Sequence, residues 1–210
     1  MIIKINPQKI NRKFVEGYAL DKNIISSTFL GYDEYERKKF DTKRTDIGEA
    51  LYRVKYGEKN GIKIEERQKY LIDIIDTGIY FLKNKWLLHE LAINLIIPVP
   101  STKKYRNIRH VHEIANNISK HFNIPFQDNI LTNSSEVSLK DTEQYDEKVN
   151  ILDKHLKINT NICLQNKTIL IVDDFCHSGA TLDTITKKLL DYNAKKIYAF
   201  TITKRWKKTK

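Results

Sequence analysis

The chain has 210 residues, of which 40% are hydrophobic, and this length can bury one sizeable core with a small appended lobe. Its 37 basic and 26 acidic residues give a formal net charge of +11, which favours polyanionic partners such as nucleic acid, acidic lipid or a multiply phosphorylated small molecule. Two cysteines exclude a disulfide framework and a four-cysteine zinc site. The first residues carry no secretion signal and no apolar run approaches the ~18 residues of a membrane span, so a cytoplasmic location without membrane contact is expected.

Residues 1–93 show two helical patterns that follow a tract rich in tyrosine. The tract 17–40 interleaves tyrosines with acidic and basic residues and is expected to be rich in strand. Apolar residues at three- and four-residue spacings predict a short helix over 46–56, begun by Thr45, and a second helix over 65–83. We assign residues 1–93 to an N-terminal helical lobe.

Residues 94–203 alternate apolar strands with amphipathic helices, which predicts βαβ units and a parallel sheet. A strand over 95–100 precedes a helix over 109–122 and a short strand over 126–131. The polar stretch 132–149 is expected to be a long mobile loop. A helix beginning near 182 and a strand over 197–202 complete the sheet.

The most informative stretch covers residues 168–182 and reads TILIVDDFCHSGATL. Its apolar part predicts a strand buried on both faces, and parallel sheets bind ligands at the carboxyl ends of their strands. At that end, Asp173 and Asp174 can accept hydrogen bonds from the vicinal hydroxyls of a sugar. The loop 176–181 adds backbone amides and the hydroxyls of Ser178 and Thr181 at a helix start, where a phosphate can be wrapped. Gly179 permits the close turn. The residues therefore predict a site for a sugar phosphate.

The same stretch resembles the signature with which type I phosphoribosyltransferases bind 5-phosphoribosyl 1-pyrophosphate (PRPP). In that signature an apolar strand runs into two acids, four variable residues and Gly-x-Thr-Leu. Receiver domains also begin with strands ending in Asp-Asp, but they need a further ~110 residues, and 36 residues follow Asp174. The resemblance implies an α/β fold with a central parallel sheet, flanking helices and an N-terminal hood lobe (1–93). The phosphoribosyltransferase-like core with a basic tail would cover 94–210.

Within that family the chain is most similar to the competence-associated ComF-type proteins, over about 94–203. The similarity includes the segment 98–104, Pro-Val-Pro-Ser-Thr-Lys-Lys, and the pattern 44–56, which is similar to a lysine-bearing helix of those proteins. The chain departs from them at 109–113, where Arg-His-Val-His-Glu replaces an Arg-Gly-Phe-Asn-Gln run. It also lacks an N-terminal zinc ribbon and has His177 where relatives often carry threonine or a small residue.

The resemblance implies a role for each part of the site. Asp173 and Asp174 would hold the ribose hydroxyls, directly or through Mg²⁺, which takes phosphate and hydroxyl oxygens and needs no dedicated protein ligands. The 5′-phosphate would be bound by Cys176, His177, Ser178, Gly179, Ala180 and Thr181. Pyrophosphate would meet Ser101, Thr102, Lys103 and Lys104, helped by Arg106 or Arg109. The loop 132–149 would close over the reaction and bring in Lys140 or Lys148.

The histidines are interpreted separately. His177 is a candidate catalytic acid or base near neutral pH, or alternatively a hydrogen-bonding partner of phosphate or substrate. Cys176 and His177 are not expected to form a nucleophilic pair, because adjacent loop residues point apart and no orienting third residue is evident. His110 and His112 are two residues apart on a predicted helix and cannot face one metal ion together. Both are expected at the surface or facing a loop.

Three functions remain open from the sequence. The favoured one is transfer of phosphoribose from PRPP to a nitrogenous base or amine with release of pyrophosphate, which makes the chain a pentosyltransferase with Mg²⁺ as cofactor. The second is a non-catalytic sensor of PRPP or a nucleotide. The third is a DNA-handling accessory in competence or defence, motivated by the net charge and the basic tail 204–210. The expected partners are PRPP and an acceptor, with nucleic acid through the tail and a second copy of the chain as further candidates.

Overall fold

The computed structural model describes residues 1–101, 109–134, 144–159 and 161–206. Within these ranges five α-helices alternate with short and long strands. The helices are α1 (Asp46–Tyr56), α2 (Ile64–Asn84), α3 (His110–Phe122), α4 (Tyr145–His155) and α5 (Ala180–Asp191). The strands are β1 (Gln8–Lys9), β2 (Glu16–Lys22), β3 (Ile24–Tyr32), β4 (Lys38–Arg44), β5 (Leu95–Pro98), β6 (Leu131–Asn133), β7 (Leu156–Ile158), β8 (Thr168–Cys176) and β9 (Lys196–Lys204).

The central sheet has five strands in the order β1-β2-β9-β8-β5. The pairs β2–β9, β9–β8 and β8–β5 are parallel, and β1 pairs antiparallel with β2. Helices connect and cover these strands, as parallel pairing requires. The predicted α/β class with a central, mostly parallel sheet is therefore confirmed.

Strand β8 forms the middle of the core because its apolar residues alternate between two hydrophobic layers. Leu170 and Val172 belong to the cluster that contains residues of α1, α2 and α3. Ile169 and Ile171 belong to the cluster on the opposite face, which contains residues of α5. All four side chains are fully buried. This double burial explains the continuous apolar run, since successive residues of a strand face opposite sides of the sheet.

The N-terminal 93 residues contribute to this sheet as well as to the helices beside it. Strand β2 pairs with β9 along its length, with Gly17 opposite Ala199. Helices α1 and α2 pack in the same hydrophobic cluster as α3. The division into a lobe and a core at residue 93 stays a prediction, but the central sheet takes strands from both sides of that boundary.

Most predicted elements occur close to their expected positions. The tract 17–40 contains most of β2, all of β3 and the start of β4, and the helices expected over 46–56 and 65–83 are α1 and α2. Thr45 caps α1, because its side chain accepts a hydrogen bond from the Gly48 amide. No helix in the described ranges is long and apolar enough to cross a membrane.

Two predictions in the region 126–149 are wrong. Phe126 forms only an isolated bridge with Ile96, and the strand lies later, at β6, where it pairs antiparallel with β7. The expected loop 132–149 contains the last part of β6 and the first turns of α4; residues 135–143 lie outside the described ranges. Helix α4 was not predicted because it buries only two residues, Lys148 and Leu152. The rest of its sequence is mostly polar, as in a loop.

Candidate active site

The acid pair lies at the carboxyl end of the central strand. Asp173 is opposite Thr201 of β9, and its Oδ1 accepts a hydrogen bond from the Asp174 amide at 2.8 Å. Strand β5 ends beside β8, with Pro98 opposite Val172. The two acids therefore lie on the sheet edge where ligands of parallel sheets bind.

Two basic side chains from distant segments hold Asp174. Lys55 Nζ of α1 lies 2.9 Å from Asp174 Oδ2. His110 Nε2, at the start of α3, forms a hydrogen bond to the same oxygen. The side chains of Lys55 and His110 are 16% and 5% exposed, so this cluster is shielded from water and its electrostatic interactions are strong.

The two neighbouring carboxyl groups titrate in opposite directions. Burial, followed by the adjacent charge of Asp174, raises the pKa of Asp173 to about 8. Burial opposes ionisation of Asp174 too, but the hydrogen bond from His110 and the charge of Lys55 outweigh it and lower the pKa of Asp174 below its ordinary value. At neutral pH the pair therefore carries one proton, which belongs mainly to Asp173.

The sequence interpretation of His110 is wrong, and that of His112 is only partly right. His110 is 4% exposed and contacts the acid pair rather than a surface loop. The available signal was its position as the first residue of the helix that follows β5, at the same sheet edge as Asp174. His112 is partly exposed and lies 2.9 Å from Asp128 Oδ2.

The predicted phosphate loop forms a tight turn between β8 and α5. Gly179 adopts a left-handed conformation with φ of +83° and immediately precedes α5. Arg12, from the segment between β1 and β2, donates a hydrogen bond to the Ser178 carbonyl oxygen. A Cβ atom added at Gly179 would lie 2.4 Å from Arg12 Nε. The absence of a side chain thus allows Arg12 to close against the loop, a contact that the sequence did not predict.

Asp183 in the first turn of α5 ties three segments together. It accepts hydrogen bonds from the Lys13 amide at 3.1 Å and from the Tyr145 hydroxyl at 2.6 Å. Arg12 forms an ion pair with it at 3.6 Å. The Asp183 side chain is 3% exposed. Partial burial of the Tyr145 hydroxyl, followed by its hydrogen bond to Asp183 and the negative charge of Asp183, raises the pKa of Tyr145 to about 12. This arrangement fixes the N-terminal segment and α4 on either side of the loop.

The predicted catalytic candidate His177 is exposed in the same loop. Its Nδ1 lies 3.4 Å from Nζ of Lys148, a residue of α4 that is 5% exposed. When the ammonium donates to Nδ1, the ring is neutral and Nε2 carries the proton. The sequence predicts that a closing loop brings in Lys148, whereas in the structure Lys148 lies on helix α4 beside the phosphate loop.

Cys176 is the last residue of β8 and is 7% exposed. Burial and the nearby Asp173 raise its pKa to about 11. Because a thiolate is the nucleophilic form of cysteine, this environment argues against a nucleophilic role. Its carbonyl oxygen accepts a hydrogen bond from the Arg205 amide at 2.9 Å, which ties the end of β9 to the site.

The predicted pyrophosphate group is described only at its first residue. Ser101 follows β5 and is exposed; Thr102, Lys103, Lys104 and Arg106 lie outside the described ranges, as does Lys140. Arg109 lies 3.5 Å from Asp128. In the part of the chain that the structure describes, no group of three or more His, Cys, Asp or Glu side chains could hold a metal ion.

Among the described residues of the site, Arg12, Lys13, Lys55, Ser101, Arg109 and His110 lie before residue 112, whereas the acid pair, the loop 176–181 and Asp183 follow it. Residues 112–210 match the model of the phosphoribosyl transferase domain. This match covers β8, the acid pair, the phosphate loop and α5, and it supports a phosphoribosyltransferase domain in this part of the chain. The ComF-type branch stays a prediction from the sequence.

Solved structures of phosphoribosyltransferases are similar to this chain at low sequence identity. A purine phosphoribosyltransferase from Pyrococcus horikoshii Ot3 shares 18% identity over 63% of this chain and 85% of its own, with a TM-score of 0.41. A hypoxanthine phosphoribosyltransferase from Staphylococcus aureus shares 14% identity over 66% of this chain and 69% of its own, with a TM-score of 0.42. A comparison with curated proteins gave no match.

Proposed function

We propose that this chain transfers the phosphoribosyl group of PRPP to a nitrogenous acceptor and releases pyrophosphate. The observation that carries the proposal is the arrangement at the end of β8, where Asp173 and Asp174 precede a turn with a left-handed glycine and the first turn of α5. Carboxyl groups suit ribose hydroxyls, and helix-terminal amides suit a phosphate monoester. The match of residues 112–210 to the phosphoribosyl transferase domain supports the same assignment.

In the proposed reaction the bond between the anomeric carbon and pyrophosphate breaks, and its electron pair leaves with pyrophosphate. A bond then forms from the acceptor nitrogen to that carbon, and the acceptor loses a proton if it carried one. Asp173 and Asp174 would fix the ribose, while the loop 176–181 would fix its 5′-phosphate. Orientation of this kind supplies much of the rate of a group transfer. His177, through Nε2, is the candidate for exchanging a proton with the substrate.

Mg²⁺ suits this site as a cofactor because it prefers oxygen ligands and keeps several waters. The carboxyl oxygens of Asp173 and Asp174 are of this kind. Since Asp174 already interacts with Lys55 and His110, Asp173 is the better protein ligand, beside oxygens of PRPP itself, and it would release its proton when the ion binds. When bound, the ion would neutralise charge on the departing pyrophosphate.

The proposal is tested by titrating PRPP with Mg²⁺ in a calorimeter and by measuring pyrophosphate release with a panel of bases and amines. We expect binding of PRPP and acceptor-dependent release. Binding without release for every acceptor would select the non-catalytic sensor instead. No heat of binding on folded protein would reject both.

A pair of glycine variants tests the phosphate loop itself. Gly179→Ala forces a side chain into a left-handed position and against Arg12, so we expect PRPP binding to weaken by about tenfold or more. Gly61→Ala is the control, because Gly61 has φ of +72° and open space around its Cβ position. The control should lose about 1 kcal/mol of stability with unchanged PRPP binding. Equal PRPP affinity in the two variants would contradict the assigned loop.

A further inference from the structure

A cavity of about 320 Å³ opens beside the acid pair. Its lining includes Lys55, which contacts Asp174, and Phe175 and Thr203 from the ends of β8 and β9. The Thr203 hydroxyl also donates to the Asp174 carbonyl oxygen at 3.4 Å. The cavity is therefore within reach of a sugar held by the acid pair, and its volume suits a small molecule.

Three aromatic side chains contribute to the walls of this cavity. Tyr52 and Tyr56 come from successive turns of α1, with ring centroids 5.2 Å apart, and Phe175 lies on β8. The guanidinium carbon of Arg44 lies 3.8 Å from the centroid of the Tyr52 ring. Flat walls of this kind favour a planar ligand, because aromatic faces stack on one another.

The polar groups of the lining are mostly hydrogen-bond donors. Arg44 and Lys55 are both cationic, and none of the residues that line the cavity is an acid. The side-chain oxygen of Asn23, also in the lining, accepts from the Trp206 amide at 3.0 Å. The Tyr52 hydroxyl accepts from Asn60 Nδ2 at 3.3 Å, which leaves its own proton to donate. A ligand rich in acceptor oxygens complements this lining.

The guanidinium of Arg44 keeps donors for such a ligand. Its ion pair with Glu49 spans 3.6 Å, whereas Glu49 is bound more closely by Arg53, at 2.9 Å. A guanidinium has five N–H donors in a planar fork that matches a carboxylate. Lys55, in contrast, is already paired with Asp174. Arg44 is thus the residue that would recognise an anionic group.

From this lining we infer that the acceptor is a planar heteroaromatic ring carrying a carboxylate, with Arg44 as its specificity-determining residue. The inference rests on the proposed function, since it assigns the acceptor class of the same site. The ring would lie among Tyr52, Tyr56 and Phe175, and its carboxylate would face Arg44. Its ring nitrogen would then point towards the sugar at the acid pair.

The test compares matched pairs of probes: orotate with uracil, and nicotinate with nicotinamide. Each pair is measured for binding in the presence of PRPP and Mg²⁺, and for pyrophosphate release. We expect the carboxylate member of at least one pair to be preferred by about tenfold or more, a factor within reach of one charge-assisted contact. Equal use of the neutral members in both pairs would overturn the inference.

Variants of Arg44 locate the preference. Arg44→Gln should abolish it, and Arg44→Lys should restore it only partly because the planar fork is lost. Arg37→Gln is the matched control, since Arg37 stacks on Tyr35 in the same hairpin, at 5.2 Å, and does not line the cavity. An unchanged preference in folded Arg44→Gln would overturn the assignment.

Measuring PRPP binding distinguishes a failure of the proposed function from a failure of the inference about the acceptor. PRPP should bind equally to the Arg44 and Arg37 variants, because neither residue belongs to the phosphate loop or the acid pair. Failure of PRPP to bind the unmodified protein would remove the proposed function and this inference with it. PRPP binding without carboxylate preference would remove this inference alone.

Discussion

Asp173 and Asp174 are adjacent in the chain, but their surroundings favour opposite protonation states. Lys55 and His110 both contact Asp174, so the negative charge belongs there. Asp173 is left with burial and a charged neighbour, which together favour its protonated form. A pair that shares one proton can offer both a donor and an acceptor to vicinal hydroxyls.

The raised pKa of Asp173 predicts how the stability of the folded protein depends on pH. In the unfolded chain Asp173 loses its proton near pH 4, whereas in the folded protein it keeps the proton until about pH 8. The folded state therefore binds more protons between these values, and stability falls as the pH rises, by up to about 1.4 kcal/mol per pH unit. Asp173→Asn should remove this slope.

Urea unfolding of the unmodified protein and Asp173→Asn, between pH 5 and pH 9, measures this difference. The unmodified protein should lose stability relative to the variant up to about pH 8, and above that pH the difference in stability between the two proteins should stay constant. Other groups titrate alike in both proteins and cancel in the comparison. Parallel stability curves would show that the proton is not held at Asp173.

Among the elements, α1 sits unusually close to the end of β2. Thr45 caps the helix and also donates to the Lys22 carbonyl oxygen at 2.6 Å. A Cβ at Gly48 would lie 2.2 Å from the Asn23 carbonyl oxygen. This close approach brings Lys55, at the other end of α1, to the acid pair. Gly48 has a low helix propensity, but its lack of a side chain allows the helix to lie here.

Replacing Gly48 with alanine should therefore destabilise the protein although alanine is the better helix former. The propensity gain is about 1 kcal/mol, while overpacking against backbone costs about 1–3 kcal/mol, and we expect a net loss measurable by urea unfolding. Gly78→Ala on α2 is the control. Its Cβ would lie 3.3 Å from a ring carbon of Phe200, a side chain that can shift, so its effect should stay within about 1 kcal/mol. A stabilised Gly48→Ala protein would refute the close-packing argument.

The elements that were predicted from sequence are those with a strong apolar period. Helix α3 buries Ile114, Ala115 and Ile118, and β8 is apolar on both faces, so both were located. Helix α4 was not located, because a surface helix with few buried apolar residues looks polar in sequence. Strands β6 and β7, of three residues each, are too short to show any alternation.

Across the whole molecule, Asp183 joins parts of the chain that are far apart in sequence. The segment before β2 and the helix α4 both contact its carboxylate, while its amide donates to the Gly179 carbonyl oxygen of the phosphate loop. The buried carboxylate satisfies groups from the segment and the helix, and removing the charge leaves them without a shared partner. The geometry of the loop thus depends on a residue outside the loop.

Asp183→Asn tests this dependence. We expect a loss of about 2 kcal/mol, below the range for a fully buried pair because the Arg12 side chain is 35% exposed,. Hydrogen exchange should quicken at residues 10–13 and in α4, and stay unchanged in α3. Asp153→Asn is the control, since Asp153 pairs with Lys188 at 3.3 Å at the surface and should cost less than about 0.5 kcal/mol. Uniform exchange across the molecule in Asp183→Asn would contradict a local tie.

The separation of the site residues along the chain explains which of them could be predicted. The acid pair and the loop 176–181 lie in one continuous stretch, so the order of the residues alone predicts their chemistry. Lys55, His110 and Arg12 reach the site only through the packing of α1, α3 and the segment before β2. Their roles depend on tertiary contacts, and no local pattern encodes a contact 64 residues apart such as that of His110 with Asp174.

The two basic side chains at Asp174 affect how a sugar would bind. Lys55 and His110 both contact Oδ2 of Asp174, so a ribose hydroxyl that binds at this oxygen must compete with two of the protein's own groups. Each such exchange yields only the difference between two similar bonds. Sugar recognition at this position would then serve discrimination between hydroxyl arrangements, while the tightness of the complex would come from the phosphate groups at either end.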